Sequence, residues 1–210
     1  ILFTDRDAFL DFAEKTESMG ETAQHCSGYF SPRFDWIVCF DPTDAEDYEA
    51  AALQLEQAEA QINEASDRAD PLLLQQARQD VEDAWKALEN AADARRTAVI
   101  LHEAIHQLVH VASAFPGHHH WPAWLHEGIA VSFESDTHRR SFGPDRDHPP
   151  RVEGFAQAVL ESRHQPLTSL LSSDKINHLA GEHVGVLYDQ SGSLISWLHR
   201  RKRSELAEFL

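Results

Sequence analysis

One unbroken helical stretch constrains this chain more than any other feature. Residues 97–112 read TAVILHEAIHQLVHVA, contain neither Gly nor Pro, and place apolar side chains on most faces of a helix. Side chains four positions apart lie on one face of a helix, so His102 and His106 can bind one metal ion together, with Glu103 beside them. Burying three ionisable groups without partners is costly, and a metal ion removes that cost. The alternative is two surface histidines on an amphipathic helix.

The spacing is the HExxH arrangement, in which two imidazoles hold zinc and a carboxylate takes a proton from the zinc-bound water. A hydrolytic zinc site needs a third protein ligand and an open position for water. Glu127 is the candidate, because it follows His106 by 21 positions in a second predicted helix that starts near Pro122. The neighbouring His126 would point about 100° away on that helix. Gly128, inside the same helix, predicts a close approach of the two helices near the metal.

Negative charge dominates the composition. The 210 residues include 18 basic and 35 acidic side chains, which gives a net charge of −17. This charge argues against binding to nucleic acid or to an anionic membrane surface. No apolar run approaches the roughly 20 residues that span a bilayer. The hydrophobic fraction of 42% is enough to build a core.

Much of the charge comes from one segment. Residues 44–93 contain 14 acidic and 3 basic residues, so they carry −11 of the −17. Apolar residues recur at helical spacing on both sides of a break, after which Asp70 is a natural N-cap and Pro71 a natural first helical residue. We predict an antiparallel helical hairpin over residues 44–94. Two interpretations remain open: a solvated structural insertion, or an arm that docks a protein partner or covers the site.

The hairpin separates two other predicted parts. Residues 1–43 predict a small β-sheet with one helix, which has Thr4 as its N-cap and runs to about Lys15. Two strands are expected within residues 28–40, around a Ser-Pro-Arg turn. Residues 95–210 predict the helical, metal-binding part. The fold class expected from these patterns is α+β and mainly helical.

Three further groups of residues have two interpretations each. Cys26 and Cys39 flank the predicted strand pair, and they either form a disulfide or stay two buried thiols. His118–His120 can bind metal or belong to a solvated loop. A later polar segment contains four arginines, which either recognise a carboxylate or are ordinary surface charges: Arg139, Arg140, Arg146 and Arg151. The start at Ile1 without Met, together with the cysteines, favours a trimmed, exported protein.

The segment WLHEGIAVSFE, residues 124–134, resembles the third-ligand helix of the gluzincin metallopeptidases, where HExxH is followed by a Glu in a W-L-x-E-G-x-A pattern. With TAVILHEAIHQLVH and a Tyr-x-Gln-Ser segment, the chain is similar to the DUF1570 family of small peptidase-MA-like proteins, common in bacterial genomes. The likeness covers residues 95–210 well and residues 1–42 weakly, and the hairpin lies outside it. It implies a zincin-like helical catalytic core with a small N-terminal sheet.

The resemblance also implies roles for residues. His102, His106 and Glu127 would ligate one zinc ion per chain, and Glu103 would be the general base. The expected function is a zinc-dependent metallopeptidase that acts on a peptide or protein substrate. The alternative is a non-catalytic zinc-binding scaffold, recruited through its acidic hairpin. The intact Glu103 argues against that alternative, because a purely structural site needs no general base.

An oxyanion donor is the remaining catalytic requirement. Hydrolysis of a carbonyl develops negative charge on its oxygen, which a donor must stabilise. In gluzincins a Tyr or His downstream of the third ligand supplies this donor. Tyr188, in the predicted last helix over residues 183–200, matches that tyrosine by motif and order. His183 is the alternative donor, and a core tyrosine with a satisfied hydroxyl is the non-catalytic interpretation.

Overall fold

The computed structural model describes residues 1–66, 68, 70–113, 121–134, 143–145, 148–172 and 182–209, without the side chains of residues 21, 22, 113, 182 and 183. Helices dominate these residues, and the strands lie at the N-terminal end, which confirms the α+β, mainly helical fold class. The elements in chain order are β1 (Leu2–Phe3), α1 (Arg6–Glu17), β2 (Gly28–Ser31), β3 (Trp36–Phe40), α2 (Glu46–Ala65), α3 (Pro71–Ser113), α4 (Ala123–Phe133), α5 (Pro149–Leu160), α6 (Leu167–Leu171), α7 (Glu182–Arg201) and α8 (Arg203–Phe209).

The sheet has the order β1-β3-β2, with β1 parallel and β2 antiparallel to β3. The predicted turn joins β2 to β3, and Asp35 within it adopts a left-handed conformation with φ of 56°. Helix α1 packs on this sheet through Phe9, which is fully buried. The Phe9 side chain packs in a cluster with other buried or partly buried side chains: Phe3, Tyr29, Val38 and Phe40. The N-terminal part therefore has its own small core.

The predicted cap of α1 was wrong by one residue. Asp5, not Thr4, is the N-cap, and its Oδ1 accepts a hydrogen bond of 2.6 Å from the backbone N–H of Ala8. Asp is a stronger N-cap than Thr, which explains the shift. The helix runs to Glu17 rather than ending near Lys15.

Helices α2 and α3 form the predicted antiparallel hairpin. Trp85 Nε1 donates a hydrogen bond of 2.9 Å to Glu59 Oε1 midway along the arm, and Arg95 pairs with Asp47 at 2.9 Å at its base. The sequence separation of the partners falls from 48 to 26 residues towards the tip, as antiparallel pairing requires. Asp70 caps α3, as predicted.

The helix that carries the HExxH motif is not a separate element. Helix α3 begins at Pro71 and ends at Ser113, so its 43 residues extend about 65 Å. The boundary predicted between residues 94 and 95 lies inside this helix. The arm and the metal-binding motif therefore share one continuous helical backbone.

Helices α4 and α7 form the centre of the C-terminal part, with α5 packed on α7 and α4 on α3. Their core contains five side chains that are at most 5% exposed: Trp124, Leu125, Leu170, Leu187 and Ile195. Among the described helices, none combines the length and the apolar character that a membrane span requires. Cys26 and Cys39 are both free thiols, in agreement with the thiol interpretation rather than a disulfide.

Candidate metal centre

Two packed helices bring the predicted metal ligands together. His102 and His106 come from successive turns of α3, and Glu127 comes from α4, which packs against it. His102 and Glu127 are each 7% exposed, so their charges are largely removed from water. Within the described part of the chain, these three side chains are the group of His, Cys, Asp and Glu that could hold a metal ion.

The donor atoms converge on one point. His102 Nε2 lies 3.0 Å from His106 Nε2 and 3.1 Å from Glu127 Oε2, and His106 Nε2 lies 3.4 Å from the same Oε2. Donors placed about 2.0–2.1 Å from one tetrahedral ion are roughly 3.3 Å apart. The three separations match that value closely, so the donor set fits a metal ion.

The surroundings of His102 favour a cation at this point. Its Nδ1–H donates a hydrogen bond of 2.9 Å to Glu134 Oε1, which leaves the lone pair of Nε2 facing the Glu127 carboxylate. A proton or a metal ion relieves this repulsion. Burial lowers the pKa of His102, but hydrogen bonds to Glu127 and Glu134 outweigh it and raise the pKa to about 10. Burial likewise raises the pKa of Glu127, yet hydrogen bonds from His102 and His106 lower it to about 2.

Glu103 lies beside the donor group and is 8% exposed. Burial raises its pKa, although the positive charges that His102 and His106 can carry act in the opposite direction. The backbone of Phe30, in β2, lies close enough to the carboxylate to act against this rise in the pKa. The sheet therefore borders the predicted general base.

Tyr188 reaches the same site from α7. Its ring lies edge-on to the His102 ring, with centroids 5.7 Å apart and an interplanar angle of 75°. Burial and the negative charges of Glu127 and Glu103 raise its pKa well above the ordinary value, so the hydroxyl stays a proton donor. The alternative donor is His183, whose side chain the structure does not describe.

Three site residues were not predicted in their observed roles. Glu134, which follows the last residue of α4, accepts the His102 hydrogen bond. Arg151 of α5 donates to both Glu134 oxygens at 2.9 Å and to Asp189 Oδ1 at 3.1 Å. Burial raises the pKa of Glu134, but the hydrogen bond from His102 and the positive charge of Arg151 outweigh it, so the pKa lies below its ordinary value. Seven residues are nearly two helical turns, so the spacing of Glu134 from Glu127 was a usable signal.

Other predicted residues have different outcomes. Arg151 is partnered inside the protein, so it is neither plain surface charge nor a free receptor for a carboxylate. His126 is not part of the converging donor group, and its ring stacks on the His106 ring with centroids 5.7 Å apart. The other three arginines and the histidine triplet lie outside the described residues: Arg139, Arg140, Arg146 and His118–His120.

Comparison with known proteins supports a family assignment. The model of the family described as "Protein of unknown function (DUF1570)" matches residues 96–210. No match was found among curated proteins or among solved structures. The matched segment contains all three donors, as well as Glu103, Glu134 and Tyr188, whereas the sheet and almost all of the hairpin precede it. Because it spans more than half of the chain, this protein belongs to the DUF1570 family.

Proposed function

We propose that this protein is a zinc-dependent metallopeptidase of the gluzincin type, which hydrolyses peptide bonds at the His102–His106–Glu127 centre. The observation that carries the proposal is the separation of the three donor atoms, between 3.0 and 3.4 Å. Two imidazoles and one carboxylate are a donor set of known catalytic zinc sites, in which a fourth position stays open. The ligands support metal-assisted hydrolysis in general, and the gluzincin resemblance supports a peptide substrate.

The surrounding residues suit this chemistry. A bound zinc ion would lower the pKa of water towards about 7 and polarise the scissile carbonyl. Glu103 would accept the proton of the attacking water and pass it to the leaving amine. Its raised pKa favours this exchange, because a general base works best when its pKa is close to the operating pH. The hydroxyl of Tyr188 would donate a hydrogen bond to the developing oxyanion.

The test compares the wild type with Glu103→Gln. We expect the purified wild type to contain about one zinc per chain and to cleave members of a general peptide library. The variant should keep its zinc and lose about 10²–10⁴-fold in turnover, the usual contribution of a general base. Glu89→Gln, an exposed glutamate on the same helix, is the matched control and should behave as the wild type.

Two results would count against the proposal. Less than a tenth of a zinc per chain, after purification without chelator, would eliminate the metal site itself. Full zinc occupancy without cleavage by the wild type would favour the scaffold alternative. One observation supports that alternative: the arm exposes Leu72 and Leu73 at its tip, 75% and 68% exposed, where a protein partner can dock.

A further inference from the structure

A chain of ion pairs extends from the metal centre into the C-terminal helices. It starts at His102, passes through Glu134 and Arg151, and ends at Asp189 on α7. The side chain of Glu134 is 7% exposed and that of Asp189 is 16% exposed. One sequence of hydrogen bonds between largely buried charges therefore joins α3, α5 and α7 to the C-terminal end of α4.

We propose that Arg151 is a positioning residue for the metal centre: by holding Glu134, it fixes the orientation and the tautomer of the metal ligand His102. This inference rests on the proposed metal site, and it adds a residue that touches neither the metal ion nor the substrate. Mutation of a residue that holds a metal ligand in place without touching the metal typically weakens metal binding 10–100-fold.

The tautomer explains why the position of Glu134 matters. An imidazole can bind a metal ion only through a nitrogen that carries no proton. The 2.9 Å hydrogen bond to Glu134 Oε1 keeps the proton of His102 on Nδ1, so Nε2 is left for the metal ion. If the Glu134 carboxylate rotated away, both tautomers and several ring orientations would become accessible, and the convergent donor geometry would be populated less.

The geometry around Arg151 is suited to prevent that rotation. Its Nε and one terminal nitrogen form two parallel hydrogen bonds to Glu134, and the other terminal nitrogen reaches Asp189. This planar fork cannot be reproduced by lysine. The guanidinium also lies over the Tyr188 ring, 5.7 Å from its centroid.

The opposing helices leave room for this arrangement. A Cβ atom at Gly154, on the same helix as Arg151, would overlap the Asp189 carboxylate. The absence of a side chain at Gly154 therefore lets Asp189 approach α5 and hold the third donor of the fork. The Asp189 acceptor of Arg151 is thus placed by the close packing of α5 against α7.

The experiment compares Arg151→Met with Arg163→Met in the full chain. Arg163 lies just beyond the end of α5, and its exposed ion pair with Glu161 has no contact with the centre. Zinc affinity is measured by competition with a chromophoric chelator. We expect the Arg151 variant to bind zinc 10–100-fold more weakly and the Arg163 variant to bind as the wild type does. Arg151→Lys should also lose affinity, because the fork is lost.

A second readout separates positioning from a general loss of stability. In a proton NMR spectrum of the zinc-loaded wild type, we expect a downfield, slowly exchanging signal from the His102 Nδ1 proton. This signal should be lost or exchange-broadened in Arg151→Met but kept in Arg163→Met. A lower melting temperature with unchanged zinc affinity and an unchanged Nδ1 signal would overturn the inference.

Two variants cover the case in which Arg151→Met does not fold. Glu134→Gln and Asp189→Asn conserve size and should weaken zinc binding in the same direction, with Glu161→Gln as their control. Unchanged affinity in both would overturn the inference. A wild type that binds zinc but cleaves no peptide would contradict the proposed function alone, whereas a wild type that binds no zinc would contradict both.

Discussion

Gly128 of α4 lies directly against the backbone of Ser191 in α7. A Cβ atom at position 128 would be 2.7 Å from the Ser191 carbonyl oxygen and 2.6 Å from Ile195 Cγ1. The residue immediately before Gly128 is the metal-ligand candidate Glu127. The contact that sets the distance between α4 and α7 therefore also sets the depth of the Glu127 carboxylate in the site.

Gly128→Ala should therefore weaken both the fold and the metal site. The added methyl group meets a backbone oxygen that cannot move aside, and overpacking of this kind costs about 1–3 kcal/mol. Because α4 must shift, we also expect lower zinc affinity. Urea unfolding and chelator competition measure the two effects.

Gly185→Ala is the matched control in α7. A Cβ atom at Gly185 would meet nothing within 4 Å, and alanine is the better helix former by about 1 kcal/mol. This variant should be more stable than the wild type and bind zinc equally well. If the two alanine variants had the same stability, the close approach of α4 and α7 would be disproved.

The sequence predicted the donors well because helical spacing is a local property. Residues His102 and His106 share a face whatever the remainder of the chain does, and the W-L-x-E-G-x-A pattern identified Glu127. Spacing does not say which element will approach a face. Gly128 correctly indicated a close helix contact, but the contact is with α7 and not with the motif helix.

Two other features were less accessible from the sequence. The boundary predicted between residues 94 and 95 follows the end of the acidic segment, yet charge alters solvation and leaves the helical backbone dihedrals unaffected. The absence of Gly and Pro between residues 72 and 113 was the better indicator of one continuous helix. The contact of Arg151 with Asp189 joins residues 38 positions apart, and no periodic pattern reports such a pair.

Tyr188→Phe tests the oxyanion role. If the hydroxyl stabilises the transition state, kcat on a peptide substrate should fall by about 10²–10³-fold with a small change in KM. Zinc content should be unchanged, because the ring still packs against His102. Tyr48→Phe, on α2, is the control. Full activity of Tyr188→Phe would instead assign Tyr188 to the core.

Asp41→Asn tests the base of the arm, where Arg96 donates two hydrogen bonds of 2.9 and 3.1 Å to Asp41. Burial raises the pKa of Asp41, but hydrogen bonds from Thr43 and Arg96 outweigh it, so the pKa lies below its ordinary value of 3.8. A lowered pKa in the folded state stabilises the protein above the ordinary value, and this stabilisation is lost as the pH falls through the folded pKa.

We expect Asp41→Asn to reduce the free energy of unfolding by about 1 kcal/mol at pH 7. The difference from the wild type should shrink as the pH falls below about 3.8. Urea titrations at several pH values measure it, with Asp83→Asn in the exposed part of the arm as the control. A difference that is independent of pH would show that the Asp41 charge contributes nothing.

The thiol of Cys26 reports on the charge of Glu103. Burial raises the pKa of Cys26 to about 12, and the negative charge of Glu103 contributes to the same shift. Only the thiolate reacts with iodoacetamide, so alkylation of the folded wild type at pH 8 should be slow. Unfolding in guanidinium without reductant should expose two reactive thiols, Cys26 and Cys39, whereas a disulfide would leave none.

Removing the neighbouring charge should change this rate in a defined direction. In zinc-free Glu103→Gln the pKa of Cys26 should fall, because one of the causes that raises it is gone. Alkylation of Cys26 at pH 8 should then be faster than in the wild type and in the Glu89→Gln control. Peptide mass spectrometry identifies the labelled cysteine and measures its rate of alkylation.

Because desolvation by burial is the larger cause of the raised pKa and remains in the variant, the rate of Cys26 alkylation should stay far below that of the unfolded chain. An equal rate in all three proteins would show that Glu103 carries no negative charge near Cys26, which would contradict its role as an ionised general base.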